Sequence, residues 1–488
     1  MNRKVLLLVL SFTFIGQTSY SQIVLSLDQC INDARQQSPS FVMAKTRVKT
    51  SYWGYRNYRA GILPQVRLSA TLPNYSGGIE RVTQPDGSED FRNRSRAYEY
   101  VRLSVDQNVL WTGGLLSFSS DLQRIDNFEP NANTQYYSVP FQFSYNQPVL
   151  LYNSIKWDRQ IQPLRYEESQ RKYIEDLEAI GEETVNYFFN AMDAQIRYAV
   201  AETNLANQDT LFKMSQGRYD LGKIAENDLL QIELSYLNAK NELQQAELNL
   251  ENSSQGLKRY LGIPTTEDVL LNLPKNIPVF DVSYNEALLH ANNNRQKVLE
   301  FRRRRLEAEQ AVAQARGNSG YQLSFNAGFG RSEQGTVLSD VYPGSQQQQY
   351  LAIGIGIPLV DWGRNKAAIR QAKANQELQD VSVEQDEIAF EQEIYLQAMR
   401  FNMQKSRLAI AAKADTIAQR RFDVTKNRYY IGKISITDLN IAQNEKDMAR
   451  MSYLAELRNF WSSYFVIRRL THWDFETNKL IEYEEPTF

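Results

Sequence analysis

RYDLGKIAENDL at residues 218–229 and RYYIGKISITDL at residues 428–439 are one turn written twice, 210 residues apart, with seven of twelve positions identical. Gly222 and Gly432 suit the left-handed residue that ends a helix, because glycine has no Cβ to clash at positive φ. Asp228 and Asp438 follow six residues later, where a carboxylate complements the dipole at the start of the next helix. Long helical patterns flank both copies, so the chain reads as two helical hairpins with equivalent tips. Self-similarity at a fixed offset marks a duplicated architecture.

Residues 154–216 and 364–428 carry long helical patterns into the tips (217–227 and 429–437), and 225–261 and 436–470 carry them back. Leu261-Gly262-Ile263-Pro264 ends the first return arm, since proline cannot continue a helix. On that arm Leu230, Leu234, Leu237, Leu243, Leu248 and Leu250 form a thin apolar seam on a polar helix. Such a seam suits a coiled coil or helical tube better than a globular core, and it predicts association with further chains. An earlier helix over 25–60 has a counterpart over 285–316, because LSLDQCINDARQQS aligns with VSYNEALLHANNNR at an offset of 257. The half-repeats 22–264 and 265–470 therefore differ by 47 residues, inserted between the first helix and the first long hairpin; 471–488 is a C-terminal tail. The run Arg302 to Arg305 reads as a solvated helix face.

The intervals at about 63–149 and 320–360 are β-rich. Val66, Leu68, Ala70 and Leu72 alternate with Arg67, Ser69 and Thr71; Tyr137, Val139, Phe141, Phe143 and Tyr145 alternate with polar residues. Leu323, Phe325, Ala327 and Phe329 repeat the pattern, as do Leu351, Ile353, Ile355 and Ile357. Period-2 runs of this length with a small or polar opposite face match tilted membrane strands around a wet lumen. The alternative is a soluble sandwich whose apolar face is core. The first half is expected to hold four strands and the second two, with exposed outer loops at 73–96 and 126–135 and a solvated loop at Gln346 to Gln349.

Composition sets further bounds. The 488 residues carry 55 Lys+Arg against 57 Asp+Glu, a net charge of −2 with no basic footprint for nucleic acid. Cys30 is the one cysteine and His290 and His472 the two histidines, too few for a disulfide, a thiolate cluster or a likeness to a His-based metal or Ser-His-Asp site. No cofactor is expected. With 28 Tyr and 22 Phe beside a mean hydropathy of −0.52, the chain suits a barrel with a water-filled interior. Arg3 and Lys4, the apolar run Val5 to Ile15 and Ser19-Tyr20-Ser21 before Gln22 read as a signal peptide over 1–21. Cys30 follows Asp28 and Gln29, which are not the small residues of a lipidation site, so a buried helix cysteine is expected.

Each half runs helix, strands, long helix, tip and return helix, each tip reads Arg-Tyr-x-x-Gly-Lys-x-x-x-x-Asp-Leu, and Pro148 and Pro358 mark equivalent strand-to-helix junctions. In duplicate and in this order, over nearly the whole mature chain, the sequence resembles the TolC-like outer membrane efflux protein family. The resemblance implies a mainly α fold with a membrane β-barrel portion. Two half-repeats of long antiparallel coiled-coil-like hairpins would form an α-barrel tunnel, and homotrimerisation would complete it and the outer-membrane β-barrel. It implies a place in the cell outer membrane, in contact with lipid and projecting into the periplasm, with a periplasmic adaptor (membrane fusion) protein and an inner-membrane pump as partners. The function implied is the passive, tip-gated exit duct of a tripartite efflux or type I secretion system.

The family's closed end is held by an Asp of the first tip linked to a Tyr and an Arg of the second. Asp228 and Tyr429 match the first two, and Ile434 stands at the Arg position beside Lys433. Of two Asp rings that constrict the pore, Asp438 matches one and Ile441 replaces the other. The adaptor-docking region falls on Arg218, Tyr219, Gly222, Lys223, Arg428, Gly432 and Lys433. The family's barrel takes four strands per subunit, so the surplus residues either add a peripheral hairpin to twelve strands or enlarge the ring to about eighteen; the peripheral hairpin is the favoured expectation. The alternative function is an outer-membrane-anchored coiled-coil structural or adhesive stalk without transport. An enzyme is not expected: carboxylate pairs such as Glu182 and Glu183 sit on polar helix faces, and no P-loop is present.

Overall fold

The computed structural model describes residues 22–129, 132–149, 151–264, 268–274, 276–431 and 433–485. The expected signal peptide and Gly432 lie outside the described residues. Strand β1 (Gln22–Leu25) leads into helices α1 (Leu27–Gln37) and α2 (Pro39–Gly61). Strands β2 (Gln65–Thr83), β3 (Glu89–Val109), β4 (Gly114–Glu129) and β5 (Asn133–Val149) follow, then α3 (Ser154–Asp220) and α4 (Glu226–Leu261). The second half runs β6 (Asp268–Leu271), α5 (Tyr284–Asn294), α6 (Gln296–Ser319), β7 (Gln322–Gly335), β8 (Gln346–Gly356), α7 (Arg364–Tyr430) and α8 (Ile436–Thr471). A small hairpin, β9 (Trp473–Asp474) and β10 (Lys479–Leu480), follows α8. Helices α3 and α7 are each 67 residues and α4 and α8 each 36.

Several boundaries differ from the sequence expectation. The helix expected over 25–60 is two helices, because Pro39 starts a new one after Ser38 turns to extended backbone. Its counterpart over 285–316 breaks at the equivalent place, Arg295. The stretch 73–96 is mostly strand, with a turn after Thr83, the described parts of 126–135 belong to β4 and β5, and Gln346 to Gln349 opens β8. Apolar residues such as Tyr75, Ile79 and Phe91 are too sparse in these segments for alternation to reveal them. Backbone ladders and ion pairs such as Arg96–Glu80 at 3.2 Å and Arg81–Glu89 at 3.1 Å hold them instead.

The chain divides into two compact units, each drawing on both halves of the sequence. The first comprises the described residues up to Thr46 with Tyr173–Asn292 and Glu393–Glu485. Helix α1 starts on a capping box: Ser26 Oγ accepts from the Gln29 backbone N–H, and the Ser26 N–H donates to Gln29 Oε1. Asp28 occupies the first turn. Strands β1 and β6 pair in parallel, Gln22 opposite Asp268 through Leu25 opposite Leu271. Phe188, Met192, Leu257, Phe401, Leu457 and Phe460 are fully buried. Helices α3 and α8 approach closely at Gly181, where a Cβ would stand 2.7 Å from the Phe465 ring. Cys30 is buried in α1, and desolvation, then the charge of Asp33, pushes its thiol up to about 12, the state of an inert core cysteine.

One ion network crosses this core. Glu178, 1% exposed, accepts from Arg35 at 2.7 Å and from Arg468 at 2.9 and 3.4 Å. Arg468 also pairs with Asp474 at 2.6 Å and donates to the Tyr464 hydroxyl at 3.1 Å. Burial opposes the Arg468 charge, but Glu178 beside it more than compensates, so its pKa rises. Burial likewise opposes ionised Asp474, and Arg468 outweighs it, holding that carboxyl below its usual range.

The second unit comprises Arg47–Lys172 and Asn293–Gln392 and holds one antiparallel sheet in the order β2-β3-β4-β5-β7-β8. The extra hairpin of the first half extends this sheet: β3 pairs with β4 from Ser95–Glu129 to Val109–Gly114. One face is apolar across the strands, in the row Val66, Val105, Phe118, Phe143 and Phe329. The adjacent row, Arg67, Ser104, Ser119, Gln142 and Gly330, belongs to the other face. On that polar face Arg102 donates to both oxygens of Asp121, at 2.6 and 2.9 Å. The arginine run on α6 is solvated only at Arg302, which is exposed. Successive residues point about 100° apart around a helix, so the other three meet different neighbours: Arg303 pairs with Glu168 at 2.6 Å, Arg304 with Asp386 at 2.5 Å and Arg305 with Glu387 at 2.8 Å.

Replacing Glu178 by Ala leaves Arg468 charged and buried without its main partner. The expected loss is about 3–5 kcal/mol, the range for breaking a buried ion pair from one side. Thermal unfolding of the purified variant beside Glu178→Gln checks it, with the Gln variant losing less because it keeps an acceptor.

Candidate functional site

Both tips end their first helix with the same backbone device. At the first, the Lys223 N–H donates to the Arg218 carbonyl at 2.9 Å and the Gly222 N–H to the Tyr219 carbonyl at 2.7 Å. Gly222 has φ +68° with open space around its missing Cβ, so conformation rather than crowding requires glycine. At the second, the Lys433 N–H donates to the Arg428 carbonyl at 3.0 Å. The repeated Arg-Tyr-x-x-Gly-Lys thus encodes one turn through backbone bonds. Arg218 is half-buried, while Tyr219, Lys223, Arg428 and Lys433 are exposed.

The side chains differ between the tips. Tyr219 is exposed, whereas its counterpart Tyr429 is 7% exposed. Tyr429 lies in an apolar cluster with Phe422, Ile436, Leu439 and Ala442 of the second hairpin and Leu211 and Ile232 of the first. Phe212 and Ile434 pack against it. Ile434, standing where the family resemblance places Arg, therefore adds apolar surface beside Tyr429. The asymmetry is traceable in sequence: Ile436 of the buried cluster corresponds to Glu226 of the first tip.

The two aspartates also diverge. Asp438 closes a capping box at the start of α8, accepting from the Ser435 hydroxyl at 2.7 Å and the Ser435 N–H at 3.2 Å. Those bonds hold its carboxyl below the usual range. Asp228 lies in the first turn of α4 behind Ala225, which has no side chain to cap with. The Asp228 carboxylate is exposed and has no hydrogen-bond or ion-pair partner among the described residues. Among those residues, Asp228 and Tyr429 are not joined by a hydrogen bond, because the Tyr429 ring is turned into the cluster.

A polar layer behind the cluster ties the hairpins together, and no motif announces it. Lys426 donates to Asn207 at 3.1 Å and Asn204 to Asp447 at 3.0 Å, linking α3 to α7 and α8. Lys446 stands 4.5 Å over the Phe422 ring, Arg450 pairs with Asp415 at 2.8 Å, and Arg421 pairs with Glu445. The available signal was spacing: Asn204, Gln208, Leu211 and Ser215 are all buried on one face of α3. No group of His, Cys, Asp and Glu among the described residues could hold a metal ion.

The model of the outer membrane efflux protein family matches residues 112–263 and 287–463. Among solved structures, the fold is similar to the CmeC outer membrane channel of Campylobacter jejuni, with TM-score 0.66 and 14% identity over 93% of this chain and 87% of that one. It is also similar to the outer membrane protein VceC of Vibrio cholerae (TM-score 0.63, 14% identity, 91% and 95% covered). The open state of the MtrE outer membrane channel of Neisseria gonorrhoeae gives TM-score 0.59 at 15% identity, with 94% and 91% covered. No curated protein sequence matches. A two-faced membrane-type sheet and paired 67-residue helices with matched tips, together with a family match across both halves, place this chain in the outer membrane efflux protein family.

Proposed function

We propose that three copies of this chain form the outer-membrane exit duct of a tripartite exporter. The helical hairpins project into the periplasm, and their tips receive a periplasmic adaptor protein and an inner-membrane pump. The observation that carries this reading is the sheet, apolar along one face and polar along the other, as lipid and a water-filled lumen require. Association of copies is supported by uncovered seams on the hairpins. Met403, Ile410, Ile417, Val424 and Ile431 recur every seven residues along α7 and just past its end, all exposed, and Leu230, Leu234, Leu237 and Leu248 are exposed on α4. A seven-residue apolar repeat is the seam of a left-handed helical supercoil. The alternative of a stalk without transport has no observation in its favour.

The gate follows from the asymmetry of the tips. The apolar cluster around Tyr429 holds the two hairpins of one copy together, and unpartnered Asp228 supplies the link between copies. Asp438 serves as a helix cap and contributes one carboxylate ring to the pore. Arg218, Tyr219, Gly222, Lys223, Arg428, Gly432 and Lys433 form the docking surface for the adaptor. Opening is an outward movement of the hairpins when the adaptor engages. The duct does no chemistry, and the pump supplies the energy.

Single-channel conductance in planar bilayers tests this reading. The wild type is expected to conduct weakly and Asp228→Ala to conduct clearly more. Absence of any channel from correctly assembled protein would remove the conduit. Tyr429→Ala is expected to raise conductance too and to destabilise the tip by about 3 kcal/mol, as large aromatic truncations do; hydrogen exchange over 422–442 reads the loosening.

Asp438 makes a separate pH prediction. Its pKa is depressed in the folded state, so its bonds to Ser435 are present above the unfolded-state value and are lost only as pH falls through the lower, folded value. The cation preference that wild type shows beyond Asp438→Asn should therefore persist as pH falls through the ordinary Asp range and vanish below it. Reversal potentials across a salt gradient measure this.

A further inference from the structure

Strands β7 and β8, shifted back by the 210-residue offset, fall on residues 112–125 and 136–146, that is, on β4 and β5. Helices α5 and α6 instead align with α1 and α2 at the larger offset. The segment without a counterpart is therefore β2–β3, and the family match begins at residue 112, directly after it. This inserted hairpin extends the sheet and takes over one of its edges: β3 occupies the edge of β4, leaving β2 and β8 as the outer strands. Both are open. Every residue of β8 is exposed, and so is every residue of β2 from Gln65 to Ile79.

Open edges cannot stand in hydrocarbon, where each unpaired backbone N–H or C=O has no water to bond. Six strands are too few to close alone, since membrane barrels begin at about eight. The two edges suit each other. Strand β2 leaves a helix and β8 leads into one, so a β8 edge meets a β2 edge antiparallel and continues the alternation of the sheet. Their apolar residues, Val66 and Leu68 on β2 and Leu351, Ile353 and Ile355 on β8, are on the same sheet face. We infer that β2 of one copy pairs with β8 of the next, so that the inserted hairpin belongs to the membrane ring and each copy contributes six strands. This rests on the three-copy reading above, which then gives eighteen strands. At about 4.8 Å between strands and a tilt of about 40°, the ring would measure about 36 Å across between backbones, against about 24 Å for twelve strands. The insertion thus widens the outer-membrane exit by about half, a size that admits folded or bulky cargo more readily than a twelve-stranded ring.

The test is disulfide cross-linking of the full-length protein in membranes. One set of double-cysteine variants pairs Val66→Cys or Leu68→Cys with Leu351→Cys, Ile353→Cys or Ile355→Cys. A second set pairs Leu116→Cys or Phe118→Cys, on β4, with the same β8 positions. The two edges of one copy are separated by the four strands between them, so a disulfide reports neighbouring copies, and Cys30 is buried away from reaction. Covalent dimers and trimers from the β2 set alone are expected. Cross-links from the β4 set alone would overturn the inference and leave a four-strand ring with the channel reading intact. No inter-copy disulfide in either set also overturns it, and native mass measurement of the same sample then decides the channel reading, which falls only if the protein is monomeric.

Discussion

A backbone N–H or C=O in the hydrocarbon of a membrane must be bonded within the protein, because no water is there to replace the partner. This constraint decides how the sheet of this chain is built. Antiparallel ladders satisfy the groups inside the sheet from β2 to β8. Alternation then sorts the side chains, since neighbouring residues on a strand point to opposite faces. Phe118, Phe143 and Phe329 line up on one face, while Ser119, Gln142 and Gly330 line up on the other. On the polar face Arg102 grips both oxygens of Asp121. Among the described residues, the outer strands β2 and β8 are where this chain leaves the requirement unmet.

The helical hairpins follow a parallel logic with a different force. Their seams are thin, so little apolar area is available to bury within one chain. Nature of packing substitutes for quantity: a Gly181 that lets α8 bring Phe465 close, a buried Glu178 shared by two arginines, and an apolar knot around Tyr429 near the tips. A buried ion pair is weak support for stability in itself, since desolvation offsets most of its attraction. What it does here is join α1, α3 and α8 through one buried carboxylate. The seven-residue stripe on α7 stays exposed in the single chain.

Much of the architecture was legible because it rests on local chemistry. Glycine at a helix end, proline after one, and aspartate at the start of the next are local requirements, and they located both tips. Alternation located the apolar middle of each long strand. It failed at 73–96, at the described parts of 126–135 and at Gln346 to Gln349, where apolar residues such as Tyr75, Ile79 and Phe91 are too sparse to alternate and backbone bonds and ion pairs contribute to the pairing. Arg303, Arg304 and Arg305 were misread for a related reason: sequence shows charges, and only the neighbouring helices show the carboxylates that meet them. At the tips, spacing treated the two aspartates alike, and Ala225 against Ser435 is the local difference that leaves only Asp438 in a capping box. The burial of Tyr429 was not legible, because it depends on Leu211 and Ile232 arriving from the other hairpin.

The sequence by itself determined the duplication, the hairpin tips, the two-faced strands and the family resemblance, since each is written in spacing along the chain. Only the tertiary structure decided that the surplus residues extend the sheet. Only it showed that Ile434 and Tyr429 share an apolar cluster, and that Asp438 is engaged while Asp228 is free of partners among the described residues. The physical reason is common to all three. Strand order, burial and partner choice are settled between segments distant in sequence, where the contact that wins is set by what else can reach the same place.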